Sequence, residues 1–310
     1  MSSKYEISKE LRLLIQFISL IAMVLVVYVH VPIDPTLSES GAWIEKNIRT
    51  GLCFFGVPIF FSISGFVFAH HIFESQWWKK EIIKRIKSIF VPFLLFNAIF
   101  FPFVFTCNQI GSAYFGANEV FKWDVVTFVS GFGFNPFAMP GFVPTWFLRS
   151  LFILFLLSPV FALIIKCGRV VTFVALVILK LLAYYVVKID NQAWHFFFGN
   201  TLCVNGAFCI FLGMALRIYF IDGLNRLAGR ISLPKAVGNL AKNIMMVYLI
   251  HPIIMFCIHI LFRVFHIEWF YSTPIAYIPT GIFLIISSYA VSIFLRNNAP
   301  KFVSLFFGDR

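Results

Sequence analysis

Residues 12–32 read RLLIQFISLIAMVLVVYVHVP, an apolar run of about twenty residues that opens at Arg12, carries His30 near its far end and stops at Pro32. At about 1.5 Å of rise per residue, a helix of that length crosses the roughly 30 Å hydrocarbon layer of a bilayer. The run has no small-residue cleavage site, so it is expected to remain as a helix rather than to be removed as a signal. Seven further stretches of similar length follow, at 52–70, 88–106, 144–165, 168–187, 198–219, 241–264 and 274–295. Eight spans predict an all-α, polytopic membrane bundle. The stretch from Tyr114 to Pro140 is broken by Gly131, Gly133, Pro136 and Pro140 and reads as a re-entrant or interfacial segment, as does 188–198 around Trp194. Short helices hidden there would bring the count to ten.

Composition leaves little room for another solvent. The chain is 60% hydrophobic and only 12% charged, with a mean hydropathy of +0.90 and 42 phenylalanines. A water-soluble chain carries about 25% charged residues to cover its surface. The net charge of +12 would suit nucleic acid if it were clustered, but the charges lie between the apolar runs, which fits the positive-inside bias and excludes a nucleic-acid partner. Eighteen of the 25 lysines and arginines fall at the termini and in alternate loops. Both termini are therefore expected in the cytoplasm, with 33–51 and 107–143 outside, as in a multi-pass protein of a bacterial inner membrane. The six cysteines, Cys53, Cys107, Cys167, Cys203, Cys209 and Cys257, lack ligand spacing and read as small packing residues, so no metal is expected. No repeat or soluble module interrupts the chain, and 1–310 reads as one membrane-embedded domain.

Ionisable groups inside a bilayer cost several kcal/mol, so each marks a candidate site. His30 comes first, because a neutral imidazole at a helix end can act as a general base; its plain structural reading is an interfacial histidine bonded to a neighbour. The basic cluster Lys79, Lys80, Lys84, Arg85, Lys87 serves either as an anchor on anionic headgroups or as a phosphate-binding loop. Ser62, Ser64 and Gly65 form a small-residue patch that lets helices or a narrow acyl chain approach closely. Trp146 and Arg149 open the fourth span, where an aromatic face either marks the interface or stacks on a sugar ring. His251 precedes Pro252, which should disturb its helix. His70, His71, His195, His259 and His266 read as ordinary polar residues.

Five strings occur in order: VLVVYVH at 24–30, GVPIFFSISGFVF at 56–68, KRIKSIFVPF at 84–93, TWFLRSLFILFLLSPVF at 145–161 and VYLIHP at 247–252. Together they resemble acyltransferase type 3, a membrane-bound family whose members O-acetylate cell-surface carbohydrates and related glycans. The resemblance implies transfer of an acyl group, usually acetyl from acetyl-CoA as co-substrate with no permanently bound cofactor, to a hydroxyl of a cell-surface or lipid-linked carbohydrate. It implies His30 as the catalytic histidine, which would take the proton of the attacking hydroxyl. Arg85, Lys84, Lys87 and Arg12 are then expected to hold the CoA phosphates, and Trp146, Arg149, Ser64 and His251 to line the acceptor site. Membrane lipids, acetyl-CoA and a carbohydrate acceptor are the expected partners. One departure stands out: many members carry an arginine eleven residues before the histidine, and here that position is Ser19. Arg12 lies on the same helical stripe, eighteen residues before His30. A transporter or flippase for a lipid-linked sugar, or a degenerate family member, are the competing readings; the missing repeat and the scarcity of acidic residues in the spans speak against the transporter.

Overall fold

The computed structural model describes residues 5–74, 76–115, 122–265 and 273–307. Lys4, His266, Arg310 and positions 116–121 of the expected re-entrant segment lie outside them. Among the described residues the structure is helical, and eight helices are long and apolar enough to cross a membrane. These are α1 (Lys9–His30), α2 (Glu39–Phe68), α3 (Trp77–Thr106), α4 (Val143–Lys166), α5 (Arg169–Val186), α6 (Gln192–Ala228), α7 (Ile244–Val264) and α8 (Pro274–Asn298). The expected all-α, multi-pass membrane architecture is the one found.

Three helices extend well beyond the hydropathy reading, two of them because charge masked helix. α2 begins at Glu39 rather than residue 52, and its opening stretch Ile44–Leu52 is π-helical. α3 begins at Trp77, so Lys79, Lys80, Lys84, Arg85 and Lys87 stand on a helix and not in a loop. α6 runs from Gln192 to Ala228, so it takes in most of the stretch expected to be interfacial around Trp194, and it encloses Arg217 as the expected span did. In the segment expected to be re-entrant, the described part forms a short helix, Val125–Gly131, capped by the Asp124 carboxylate on the Thr127 N–H.

By contacts the chain divides into two compact units, Met1–Ser64 with Phe220–Phe302, and Gly65–Tyr219 with Val303–Arg310. In the first, Ser8 caps α1 by accepting from the Leu11 N–H at 3.1 Å, and Val31, extended as a residue before proline must be, ends it. Ala22, Met23, Val26 and Val27 form its buried stripe. Glycines let backbones close on that stripe: a methyl group at Gly56 would meet the Ala22 carbonyl oxygen and the Val26 side chain at 2.9 Å. One end of this unit is basic. There the Ser8 N–H donates to Asn225 at 3.0 Å, Gly238 packs beside Leu13 and Gln16, and Arg296 donates to Asn243 at 3.1 Å and to the Lys242 carbonyl at 2.9 Å. Lys9, Arg12, Arg226 and Lys242 lie exposed around these contacts.

The second unit is built on aromatic packing around a buried polar anchor. Asn97, fully buried, donates to the Phe93 carbonyl and to Thr145 Oγ, both at 2.8 Å, and accepts from the Phe142 N–H at 3.1 Å. Satisfying an amide this fully is what makes its burial tolerable. Around it stack Phe96, Phe100 and Phe142, with ring centroids 4.8–5.6 Å apart. At Gly65 an added methyl would run into the Ile210 carbonyl, so this glycine sets the approach of backbone to backbone within the unit.

Candidate functional site

His30 ends α1, and His251 lies eight residues into α7, fully buried. Their rings sit edge to face with centroids 5.2 Å apart. Each imidazole is tied to its own helix in the same way: His30 Nδ1 lies 2.7 Å from the Val26 carbonyl oxygen and His251 Nδ1 lies 3.0 Å from that of Val247. A carbonyl only accepts, so both Nδ1 atoms carry the proton and both Nε2 atoms carry a lone pair. His251 Nε2 faces His30 Nδ1 at 3.5 Å, as a second, weaker acceptor for that proton. The arrangement leaves His30 Nε2 as a base, with His251 behind it. Among the described residues no acidic side chain bonds to either ring.

The last turn of α1 leaves carbonyl oxygens without helical partners, which inside an apolar bundle must be met by side chains. Tyr277 Oη donates to the Tyr28 carbonyl at 2.9 Å, and Arg49 Nη1 reaches the Val29 carbonyl at 3.3 Å. Tyr28 Oη in turn donates to the Ile278 carbonyl at 3.0 Å, and its ring lies against Gly281, where a methyl group would overlap it. Arg49 is held by Glu45 through both Nε and Nη2. These residues fix where α1 ends and so where His30 points. α7 continues thirteen residues beyond His251, to Val264, about 20 Å of helix. Pro252 does not break it.

The other expected site residues fall elsewhere. Arg12 stands exposed at the basic end of the first unit, eighteen residues from His30, about 27 Å along the helix. Ser19 donates to the Ile15 carbonyl at 2.8 Å and supplies no charge. Ser64 is half-buried on α2. In the second unit, Lys84 and Arg85 converge on one buried carboxylate, Glu81, at 2.7 and 3.2 Å, and the Arg85 guanidinium lies 4.9 Å from the Phe155 ring centroid. Lys87 is exposed. Trp146 is half-buried at the start of α4. Arg149, 7% exposed, donates to the carbonyls of Gly133, Asn135 and Ala138 at 2.9–3.3 Å and to Thr201 Oγ at 3.0 Å. Its guanidinium therefore pins the loop that precedes α4.

The sequence reading passed over several of these groups. Glu45 and Arg49 had a legible signal, opposite charges four residues apart, but in a stretch read as loop. Arg217 had one too, as an arginine within an apolar run. It is 2% exposed, donates from Nη2 to His70 Nδ1 at 2.8 Å, and lies over the Phe66 ring at 5.2 Å, which gives His70 a partner that sequence could not supply. Tyr277 and Glu81 left no signal separable from packing or from a solvated charge.

A family model described as an acyltransferase domain, acyltransferase type 3, matches residues 15–233. The succinoglycan biosynthesis protein ExoH of Rhizobium meliloti (strain 1021) is 28% identical over 173 residues, which cover 54% of this chain and 45% of the relative. The chain thus spans under half of that protein's length. No solved structure matches. The match takes in six of the eight spans and the first four of the five quoted strings, and it establishes that this multi-pass membrane protein belongs to the acyltransferase type 3 family.

Proposed function

We propose that the protein moves an acetyl group from acetyl-CoA to a hydroxyl of a cell-surface or lipid-linked carbohydrate, with His30 as general base. The observation that carries this reading is the histidine pair: Nδ1 of His30 is bonded to its own helix, and Nε2 holds the lone pair. His30 Nε2 takes the hydroxyl proton as the acceptor oxygen attacks the thioester carbonyl. The tetrahedral intermediate collapses with cleavage of the carbon–sulfur bond, and the proton passes from the imidazolium to the departing thiolate, leaving an ester and free CoA. His251 is the positioning residue, its Nε2 set to receive the Nδ1 proton of the imidazolium more strongly once the ring is charged.

The donor is taken to enter from the basic end of α1, where Arg12 offers a guanidinium for its phosphates; Lys84, Arg85 and Lys87 of the second unit are a separate phosphate-binding candidate. Ser64 in the first unit, and separately Trp146 and Arg149 in the second, are proposed as acceptor-binding residues, Arg149 through the loop it holds. By the positive-inside rule the basic end and both termini face the cytoplasm of an inner membrane. Membranes from cells carrying His30→Ala as the sole copy test the chemistry: glycan mass spectrometry is expected to lose one acetyl increment, and unchanged acetylation would sink the mechanism. Ser19 supports a second reading, a weakened relative. A gain in acetylation on Ser19→Arg would favour it.

A further inference from the structure

We infer that Glu45 and Arg49 form the acceptor-reading subsite of this enzyme, recognising a neutral hydroxyl-rich sugar beside the hydroxyl that His30 activates; the inference rests on the acyl-transfer reading above. Arg49 touches the carbonyl of Val29, the residue before His30, at 3.3 Å. The pair thus stands at the end of α1 that bears the histidine, away from the basic end of the same unit. Both side chains are half-buried, Arg49 at 33% and Glu45 at 20% exposure, so part of each stays accessible to a ligand.

Charge decides the class of ligand. Glu45 engages Arg49 through two of its guanidinium nitrogens, so the pair is neutral overall and a phosphate would meet the repulsion of the carboxylate. What it offers is a fork of N–H donors beside carboxylate acceptors, the complement of adjacent sugar hydroxyls, which donate and accept at once. The backbone beneath it is unusual in the same sense. Ile44–Leu52 is π-helical over nine residues, the longest of three such stretches among the described residues, with Thr50 Oγ donating to the Glu45 carbonyl at 2.7 Å, and π-helical turns are frequent at functional sites.

The test measures transfer from labelled acetyl-CoA, in membranes, to envelope polysaccharide stripped of its esters by alkali, over a range of polysaccharide concentrations. Glu45→Gln and Arg49→Lys are expected to raise the acceptor KM at least five-fold with the acetyl-CoA KM unmoved. Lys46→Ala, which removes the exposed neighbouring charge, is expected to leave the acceptor KM alone. An unchanged acceptor KM in Glu45→Gln, a fall in kcat without a KM shift, or the same shift in Lys46→Ala overturns the assignment. Should Arg49→Lys fail to accumulate, the isosteric Glu45→Gln decides by itself. Activity surviving in His30→Ala would instead overturn the acyl-transfer reading, whatever the KM values show.

Discussion

Replacing His251 by alanine separates a positioning histidine from a second base. In the resting state the His30 Nδ1 proton is bound mainly to the Val26 oxygen at 2.7 Å, and the 3.5 Å approach of His251 Nε2 contributes little. When His30 takes the acceptor proton it becomes a cation, and a hydrogen bond to a charged donor is worth about 1.5–3 kcal/mol at good geometry. At this longer separation less than that is available, about 1–2 kcal/mol, so kcat is expected to fall roughly 5- to 30-fold. Loss of the base itself, in His30→Ala, is expected to cost about 10²- to 10⁴-fold. His251→Gln keeps an acceptor near His30 Nδ1 and is expected to recover part of the loss. Initial rates of label transfer from acetyl-CoA in membranes, normalised to folded protein, read all three variants. A His251→Ala enzyme as inactive as His30→Ala, or one with full kcat, would refute the division of labour.

Arg149→Lys exchanges a fork that reaches three carbonyls and Thr201 for a single ammonium. It is expected to lose about 2–4 kcal/mol, read as a lower melting temperature in detergent and faster proteolysis within 133–141; a stable variant with a raised acceptor KM would show that the guanidinium faces substrate. Gly281→Ala drives a methyl group into the Tyr28 ring. The expected cost is about 1–3 kcal/mol with a drop in kcat, and wild-type stability and rate would show that the end of α1 tolerates the shift. Arg12→Ala is expected to weaken acetyl-CoA binding with the acceptor KM unmoved, measured by ligand titration in nanodiscs. Full affinity would remove Arg12 from the donor site.

Hydropathy exposed the spans because each is long and nearly free of charge, and it failed wherever helix carried charge. Lys79 to Lys87 form an amphipathic start to α3, and Glu45, Lys46 and Arg49 a polar start to α2; both look like loop to a rule that scores only apolar length. His30 and His251 were legible as polar atoms in an apolar setting. Their meeting was not, because 221 residues separate them and nothing in either string encodes the partner. Arg149 shows the converse: a cation at a helix start invites a ligand in the sequence, yet in the fold its donors go to backbone carbonyls of the preceding loop, which a buried segment must satisfy somewhere.

Under the proposed mechanism, placing a histidine behind the base, where soluble hydrolases place an aspartate, follows from the solvent. A carboxylate in the fully buried position of His251 would lose its hydration and would need a cation or several donors to offset that loss, whereas a neutral imidazole needs only the Val247 carbonyl it already has. The exchange weakens the support given to the imidazolium, since a lone pair stabilises a charge less than an anion does. It also makes that support conditional: His251 Nε2 is available to His30 only while its own proton stays on Nδ1, and the i−4 carbonyl of α7 holds it there. The backbone of α7 thus sets the tautomer on which catalysis at the end of α1 depends, and Pro252, one residue on, must be accommodated without disturbing that turn.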